Sequence, residues 1–530
     1  MQKTATGEVI DTRPPDVEDW LNTLPYVDFD RTSTLILEAL SATNQVPLKP
    51  AIRLDLVALY NRPYQYYVDT QIKLGSQHTL QSIDLMVRQI SVLSKIAANL
   101  ANACKLIARD SAGQKTLWGR FKPFQVALHE AIHFLSHGLI FSYLQYAPVP
   151  ERFWLEINKL YKHAELAGLS NAELRLPEGL GGSRIQTIGE AYKRIVLISL
   201  LDPYHLPFGA IWEIYNQLER WSAHSRIVPY KPGMERNGAF VVDIDSVARP
   251  VPMDHFDDHT MRETHRIIEV RELKTEINSR LELLKKGGKA EPDTCISPHI
   301  AKLVLAQMAQ SMGTPPRRSS PRIPNQGKEQ LIFGLNAIYF QINGGKEFVS
   351  TTGQDETEHL VTDALFARPQ SETMPPQYAT ELWNLLDMGP EGFSVDSAAA
   401  QGNLVRVGDL VAIRRENAGT GRNSNWSLGV IRWMMIVEGQ RYRLGIQTIA
   451  AEVMPAALRA LSGGVPEVEY RRVIIADDNL SRGRNHIVTS PGIYQTKREL
   501  ELVVRDRTLP ASAVGLVESS VNFEHILIEV

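Results

Sequence analysis

The chain has 530 residues, 43% hydrophobic and 22% charged, with a formal net charge of −3. These proportions suit a soluble globular protein of about two to four domains. Near-neutrality excludes a broad polyanion-binding surface, so no nucleic-acid polymer is expected as a partner, whereas a local cluster of arginines is compatible with it.

The opening "MQKTATGEVIDTRPPDVEDW" lacks a basic start followed by an apolar run, so no signal peptide is expected. The first half then reads as helical. From Thr79, Leu80, Ile83, Met86, Val87, Ile90, Leu93, Ile96, Ala97 and Leu100 fall at helical spacing and give one apolar stripe. Further helices are predicted in "PFQVALHEAIHFLSHGLIFSYLQY", "PERFWLEINKLYKHAELAGL", "RIQTIGEAYKRIVLISLL" and "PFGAIWEIYNQLERWSAHSRI", separated by prolines or glycines. Trp154 and Tyr161, then Trp212 and Tyr215, occupy matching offsets. That suggests stacked antiparallel helices in a solenoid-like arrangement, with these aromatics as packing core.

Within the second of these stretches stands His129-Glu130-Ala131-Ile132-His133, a literal H-E-x-x-H, with His137 one turn further on. On a helix this spacing places two imidazoles on one face with a glutamate as potential general base, the arrangement of zinc proteases. No downstream segment completes a zincin site. The expectation is partly exposed helix histidines, with no metal and no catalytic residue, and a zinc-dependent hydrolase is kept as an alternative. No G-x-x-x-x-G-K-S/T loop or G-x-S-x-G elbow occurs, and "EGLGGSRI" reads as a linker.

A short strand is expected in "GAFVVDIDS", then a charged connector helix across "MRETHRIIEVRELKTEINSRLELLKKGGKAEPDT" and a short apolar helix in "SPHIAKLVLAQMAQSM". Next comes "GTPPRRSSPRIPNQGKEQ", a Pro/Ser tether carrying Arg317, Arg318 and Arg322. After Gln330 the texture turns to β. Strands are predicted in "LIFGLNAIYFQI", "LWNLLDMGPEGFSV", "LVRVGDLVAIRR", "WSLGVIRWMMIV" and "RYRLGIQTIAAEV". In the last, Tyr442, Leu444 and Ile446 alternate with Arg443, Gly445 and Gln447. A long polar insertion covers 344–380. Shorter runs, "YRRVIIAD", "HIVTS", "RELELVVRD" and "FEHILIEV", continue to the end, and many short strands at this spacing suggest a barrel or sandwich.

Arg318 and Arg322 form R-S-S-P-R, and 65 residues after Arg322 the segment "DMGPEG" presents Asp387, Gly389 and Gly392 at a strand-to-turn position. An R-x3-R tether ahead of a barrel that carries D/N-x-S-x-x-G resembles the PilZ domains, which bind the bacterial second messenger cyclic di-GMP. The resemblance covers roughly residues 315–460. It implies a ligand site made by Arg317, Arg318, Arg322, Asp387, Gly389 and Gly392, with Gly389 standing where the family has Ser. The chemistry agrees. Arginine pairs bidentately with phosphate, meets the O6 and N7 acceptors of guanine and stacks on purines. Asp387 can accept from guanine N1 and N2, and Gly392 allows a close backbone approach. Arg414, Arg415, Arg432 and Arg443 read as surface or rim residues, one or two of which could face the ligand.

The only cysteines are Cys104, in a helical pattern, and Cys295, in a linker-like stretch. Two lone thiols make neither a disulfide framework nor a zinc ribbon, which fits a reducing compartment. No window of about 18 consecutive apolar residues occurs, so no membrane span is expected and the location is taken as cytoplasmic. The expected whole is an α+β multidomain chain: helical domain 1–235, connector 236–312, PilZ-type barrel 313–460 with its insertion, and a β extension 461–530. It is expected to be a non-enzymatic, cofactor-free cyclic di-GMP effector whose helical half serves as output or protein-partner surface. A helical adaptor with a degenerate barrel is the other alternative.

Overall fold

A computed structural model describes residues 2–3, 9–76, 83–112, 123–180, 185–207, 209–288, 295–312, 321–346, 378–398, 405–414, 426–437, 441–462, 465–467, 469–476, 483–504, 507–520 and 522–530. Two compact units divide the chain, Met1–Arg317 and Arg318–Val530. Arg317, Arg318, Arg415 and most of the 344–380 insertion lie outside the described residues.

After a short ribbon pairing Gln2–Lys3 with Val9–Ile10, the first unit runs through eight helices: α1 (Pro14–Asn22), α2 (Phe29–Asn44), α3 (Pro50–Ser76), α4 (Ile83–Ser111), α5 (Pro123–Leu144), α6 (Phe153–Leu166), α7 (Ile188–Leu200) and α8 (Ala210–Trp221). Their starts carry local signals. Asp28 accepts a hydrogen bond from the Arg31 amide ahead of α2, and Thr187 with Glu190 forms a capping box at α7. The α4 stripe of Ile90, Leu93, Ile96, Ala97 and Leu100 is buried as its spacing predicts. A solenoid needs each repeat to touch only its neighbours. Here α4 packs against α2, α3 and α5, and α5 also meets α3, α6, α7 and α8, so the helices form a bundle around these two. That is why α5 is apolar on nearly every face. Trp154, Tyr161, Trp212 and Tyr215 are core residues; the Tyr161 ring stacks on Tyr192 with centroids 4.1 Å apart. By length and composition, Val87–Ser111 in α4 is apolar enough to cross a membrane, although no unbroken apolar run reveals it, and its stripe belongs to the core of this unit.

Residues 236–312, expected as a connector, are built into the same unit. β1 (Arg226–Pro229), β2 (Ala239–Asp243), β3 (Val251–Pro252) and β4 (His265–Glu269) form a sheet in the order β1-β4-β2-β3. The helix predicted from Met261 therefore begins later, as α9 (Arg271–Lys285), followed by α10 (Pro298–Ser311). Phe240, Val242, Ile268, Leu273, Ile277, Val304 and Met308 join the core of the helical bundle. Polar ties reinforce this: Asn158 donates to the Asp243 and Ser246 carbonyls, and Arg266 grips Glu165.

The second unit begins with β5 (Ile323–Phe333) and α11 (Leu335–Ile342), so "LIFGLNAIYFQI" is a strand end plus a helix rather than one strand. Gly334, at φ 85°, makes the break. β6 (Glu381–Gly389), β7 (Gly392–Ala398), β8 (Leu410–Arg414), β9 (Trp426–Val437) and β10 (Arg441–Ala450) complete a closed antiparallel barrel, in the order β6-β7-β10-β9-β8-β5. "LWNLLDMGPEGFSV" is thus a hairpin, β6–β7. Then β11 (Met454–Ser462), β12 (Val465–Pro466), β13 (Arg471–Ile475), β14 (Arg484–Thr489), β15 (Glu499–Val504), β16 (Arg507–Ser519) and β17 (Glu524–Glu529) make a second sheet. Its order is β12-β11-β13-β14-β17-β16-β15, and a β11–β15 pairing closes six of the strands into a ring. β11 starts at residue 454, so 454–460 belong to this sheet rather than to the barrel. Alternation along β8 explains the seam: Leu410 and Ala412 join Ile474, Val488 and Phe523 in a shared core, leaving Val411 and Ile413 for the other face.

Candidate functional site

The barrel aligns its strands so that the two motifs meet. Arg322 is the residue before β5, and Asp387 lies on β6 opposite Pro324. The register of β6 shifts between Leu385 and Asp387 against both neighbours, a bulge that re-aims the acid. Arg322 Nη1 donates to Asp387 Oδ1 at 2.7 Å, with both side chains still partly exposed. Asp387 is two residues before Gly389, which pairs with Gly392 across the Pro390–Glu391 turn. The hairpin tip is fixed by the Thr448 amide, which donates to the Glu391 carbonyl at 3.0 Å.

Arg322, Gly389 and Gly392 border a cleft of about 190 Å³, lined also by Arg432, Trp433 and Gln447 among others, and Asp387 meets it through its pair with Arg322. Gly392 is required by backbone crowding. A Cβ there would lie 2.1 Å from the Ile446 carbonyl oxygen. At Gly389 the backbone is not left-handed and the nearest atom to a Cβ would be 3.5 Å away. Trp433 lies against Gly445, its cross-strand partner, so closely that a Cβ on Gly445 would sit 1.8 Å from the indole nitrogen. An indole, two guanidinium groups and a carboxylate around one cleft can stack a base, hold a phosphate and read a base edge.

Of the residues expected at the site, Arg322, Asp387, Gly389 and Gly392 come together; Arg317 and Arg318 are outside the described residues. Among the four rim arginines, Arg432 lines the cleft. Arg414 is exposed at the end of β8, and Arg443 faces Asp396 at 3.6 Å. Trp433 escaped sequence reasoning. Its signal was a Trp and a Gly in consecutive predicted strands, but their pairing requires the register.

The H-E-x-x-H residues occupy a different setting. His129 and His137 are buried and His133 is half-buried, so the expected partial exposure holds at His133 and not at the other two. His129 Nδ1 lies 2.8 Å from Glu130 Oε1, and His137 Nδ1 lies 2.8 Å from the Tyr64 hydroxyl. The His133 and His137 rings pack edge to face, centroids 4.5 Å apart. Burial pushes both imidazoles down to about 3; the neighbouring His137 adds to this for His133, and Arg194 for His137. Among the described residues no three His, Cys, Asp or Glu side chains gather as a metal site. Cys104 is buried and Cys295 exposed, both as free thiols.

Comparison with known proteins accounts for most of the chain. Residues 15–231 match the N-terminal domain family of the cyclic-di-GMP receptor FimW, and residues 239–374 and 361–455 match that receptor's middle PilZ domain. Among curated proteins, the cyclic-di-GMP receptor FimW of Pseudomonas aeruginosa is 22% identical over 530 aligned positions, spanning 91% of this chain and 84% of that protein. No solved structure matches. With both helical and barrel regions matched in order, the chain belongs to the PilZ-domain family of cyclic di-GMP receptors, and not to the zinc hydrolases that the His129–His133 motif suggested.

Proposed function

We propose that the chain is a bacterial signalling effector that binds cyclic di-GMP in the barrel cleft. The observation that carries this is the meeting of Arg322 with Asp387 at a cleft that also holds Gly389, Gly392 and Trp433. The similarity to FimW, named as a cyclic-di-GMP receptor, supports the same ligand. Arg322 uses one of its five N–H donors on Asp387, so it can keep that pair and still hold a phosphate. Arg317 and Arg318 supply further phosphate and guanine contacts from the tether. Asp387 accepts from guanine N1 and N2, and Trp433 offers a stacking face. No step of chemistry is required, and the ligand acts by occupancy.

The helical unit is the output or protein-partner surface in this proposal, and the protein works in the cytoplasm. The domain division runs at the Arg-rich tether, with the barrel and the C-terminal sheet as successive parts of the second unit.

Calorimetric titration of the full chain with cyclic di-GMP tests the reading. Each tether arginine makes a charge-assisted hydrogen bond of roughly 1.5–3 kcal/mol. Arg322→Ala and Arg318→Ala should therefore each weaken binding about tenfold to a hundredfold. Arg318→Lys should weaken it too, because a point charge does not reproduce the fork. Absence of heat up to high micromolar ligand would sink this reading and favour an adaptor with a degenerate barrel, a reading to which Gly389 in the Ser position lends support.

A further inference from the structure

One group at the cleft is anchored from outside the barrel. Arg432 on β9 reaches to Glu518 on β16: Nη1 donates to Oε1 at 2.6 Å and Nη2 to Oε2 at 2.8 Å. Its Nε donates to Gln447 Oε1 at 2.7 Å. We propose that Glu518 is a positioning residue for the ligand: it fixes the Arg432 guanidinium in the cleft and thereby makes the C-terminal sheet part of the cyclic di-GMP site. This rests on the reading of the cleft given above.

Three observations support it. Arg432 and its second partner Gln447 both line the cleft that holds Arg322, Gly389 and Gly392. A guanidinium held on three of its five N–H groups has lost its rotamer freedom before any ligand arrives, which lowers the entropy loss on binding. Two donors and the flat face are left, a surface suited to stacking on guanine and to one further acceptor. Finally, β16 is shaped to deliver the carboxylate. Its register against β17 shifts between Leu516, paired with Ile526, and Glu518, paired with His525. The extra residue, Val517, is 53% exposed, while the Glu518 side chain is only 24% exposed. Bulges of this kind redirect the following side chain. The matched families end at residue 455, so they assign nothing to β16.

The test is calorimetric titration of the full chain with cyclic di-GMP in wild type, Arg432→Ala, Glu518→Ala, Glu518→Gln and the double alanine variant, with Arg322→Ala as reference. Arg432→Ala should weaken binding about tenfold or more, the effect of one charge-assisted contact. Glu518→Ala should weaken it by roughly three- to thirtyfold, as expected within one hydrogen-bond network. Glu518→Gln, which can retain one of the two bonds, should fall between Glu518→Ala and wild type. The double variant should bind no worse than Arg432→Ala alone, and melting without ligand should stay near wild type, because a partly exposed pair contributes little to stability. Wild-type or tighter binding by Glu518→Ala, or additive losses in the double variant, would overturn the inference. If Arg322→Ala weakens binding while Arg432→Ala and Glu518→Ala do not, only the role of Glu518 falls; if wild type binds nothing, both readings fall.

Discussion

Gly389 offers a test of the proposed site with a single added atom group. It stands in the Ser position of the family motif, and a Cβ there would be 3.5 Å from the Pro321 carbonyl oxygen and 3.6 Å from Arg322 Cγ, ordinary contact distances. Gly389→Ser should therefore fold normally and add one hydroxyl to the cleft. A neutral hydrogen bond contributes roughly 0.5–1.5 kcal/mol, so calorimetry should show binding tightened about two- to tenfold; unchanged affinity would mean the ligand does not reach β6. The buried imidazoles allow a second prediction. Folding depresses His133 and His137 from 6.5 to about 3, so both remain neutral in the native state while the unfolded chain takes up protons. The stability they leave intact above pH 6.5 is lost as pH falls towards 3. Denaturant unfolding of His137→Gln should show a smaller drop between pH 7 and pH 5 than wild type, even if the variant starts lower after losing its Tyr64 partner. An equal drop would show that these rings do not govern acid sensitivity. That Arg322, Asp387, Gly389 and Gly392 come together was legible because each motif is contiguous. Which of the four rim arginines joins them, and the places of Trp433 and Glu518, were not, since Arg432 and Glu518 meet across 86 residues of chain.

At the scale of elements, glycines set how closely strands approach around the cleft. The Gly392 Cα faces the Ile446 carbonyl, a backbone atom held by the β7–β10 ladder, and an added methyl would overlap it at 2.1 Å. Gly392→Ala should destabilise the protein by about 1–3 kcal/mol, as overpacking does, and lose ligand affinity as the β6–β7 hairpin shifts. Gly445→Ala meets a side chain instead, the Trp433 indole, which can swing away. Its stability loss should be smaller, while cyclic di-GMP binding should weaken through loss of the stacking face, worth roughly 1–3 kcal/mol per base. Unfolding curves and titrations of the two variants separate these cases; equal behaviour would deny Trp433 a role. The misread elements have local causes. "HRIIE" is a five-residue strand flanked by charges that continue smoothly into α9, so the helical pattern absorbed it. Ala337, Ile338, Tyr339 and Ile342 are buried on one side of α11, yet a short apolar run after a strand carries no period long enough to separate helix from strand. Long amphipathic stretches such as α4 and α7 were readable because several turns repeat one stripe.

At the scale of the whole chain, the described residues gather into cores within each unit: the helical core is built from residues up to Met312, and the cores around Ile332 and Leu458 from residues of the second unit. The division falls at Arg317 and Arg318, within a segment rich in Pro, Ser and Arg. Cores that share no residues unfold as distinct cooperative units, so calorimetric melting should resolve into two transitions. A ligand that binds only the folded barrel stabilises only the transition to which the barrel belongs. At a ligand concentration of 100 times the dissociation constant that stabilisation is about 2.7 kcal/mol. For a domain of about 200 residues it corresponds to a shift of roughly 5–10 °C. Cyclic di-GMP should therefore raise one melting transition and leave the other in place, and Arg322→Ala, binding tenfold to a hundredfold more weakly, should cut the shift to about half or less without moving either transition in the absence of ligand. Limited proteolysis between residues 312 and 317 should leave two fragments that each melt cooperatively, the C-terminal one, which keeps Arg317, Arg318 and Arg322, still responding to Gly389→Ser and Glu518→Ala. A single transition that moves as a whole on adding ligand would instead show that occupancy of the barrel is transmitted into the helical unit as a change in its stability.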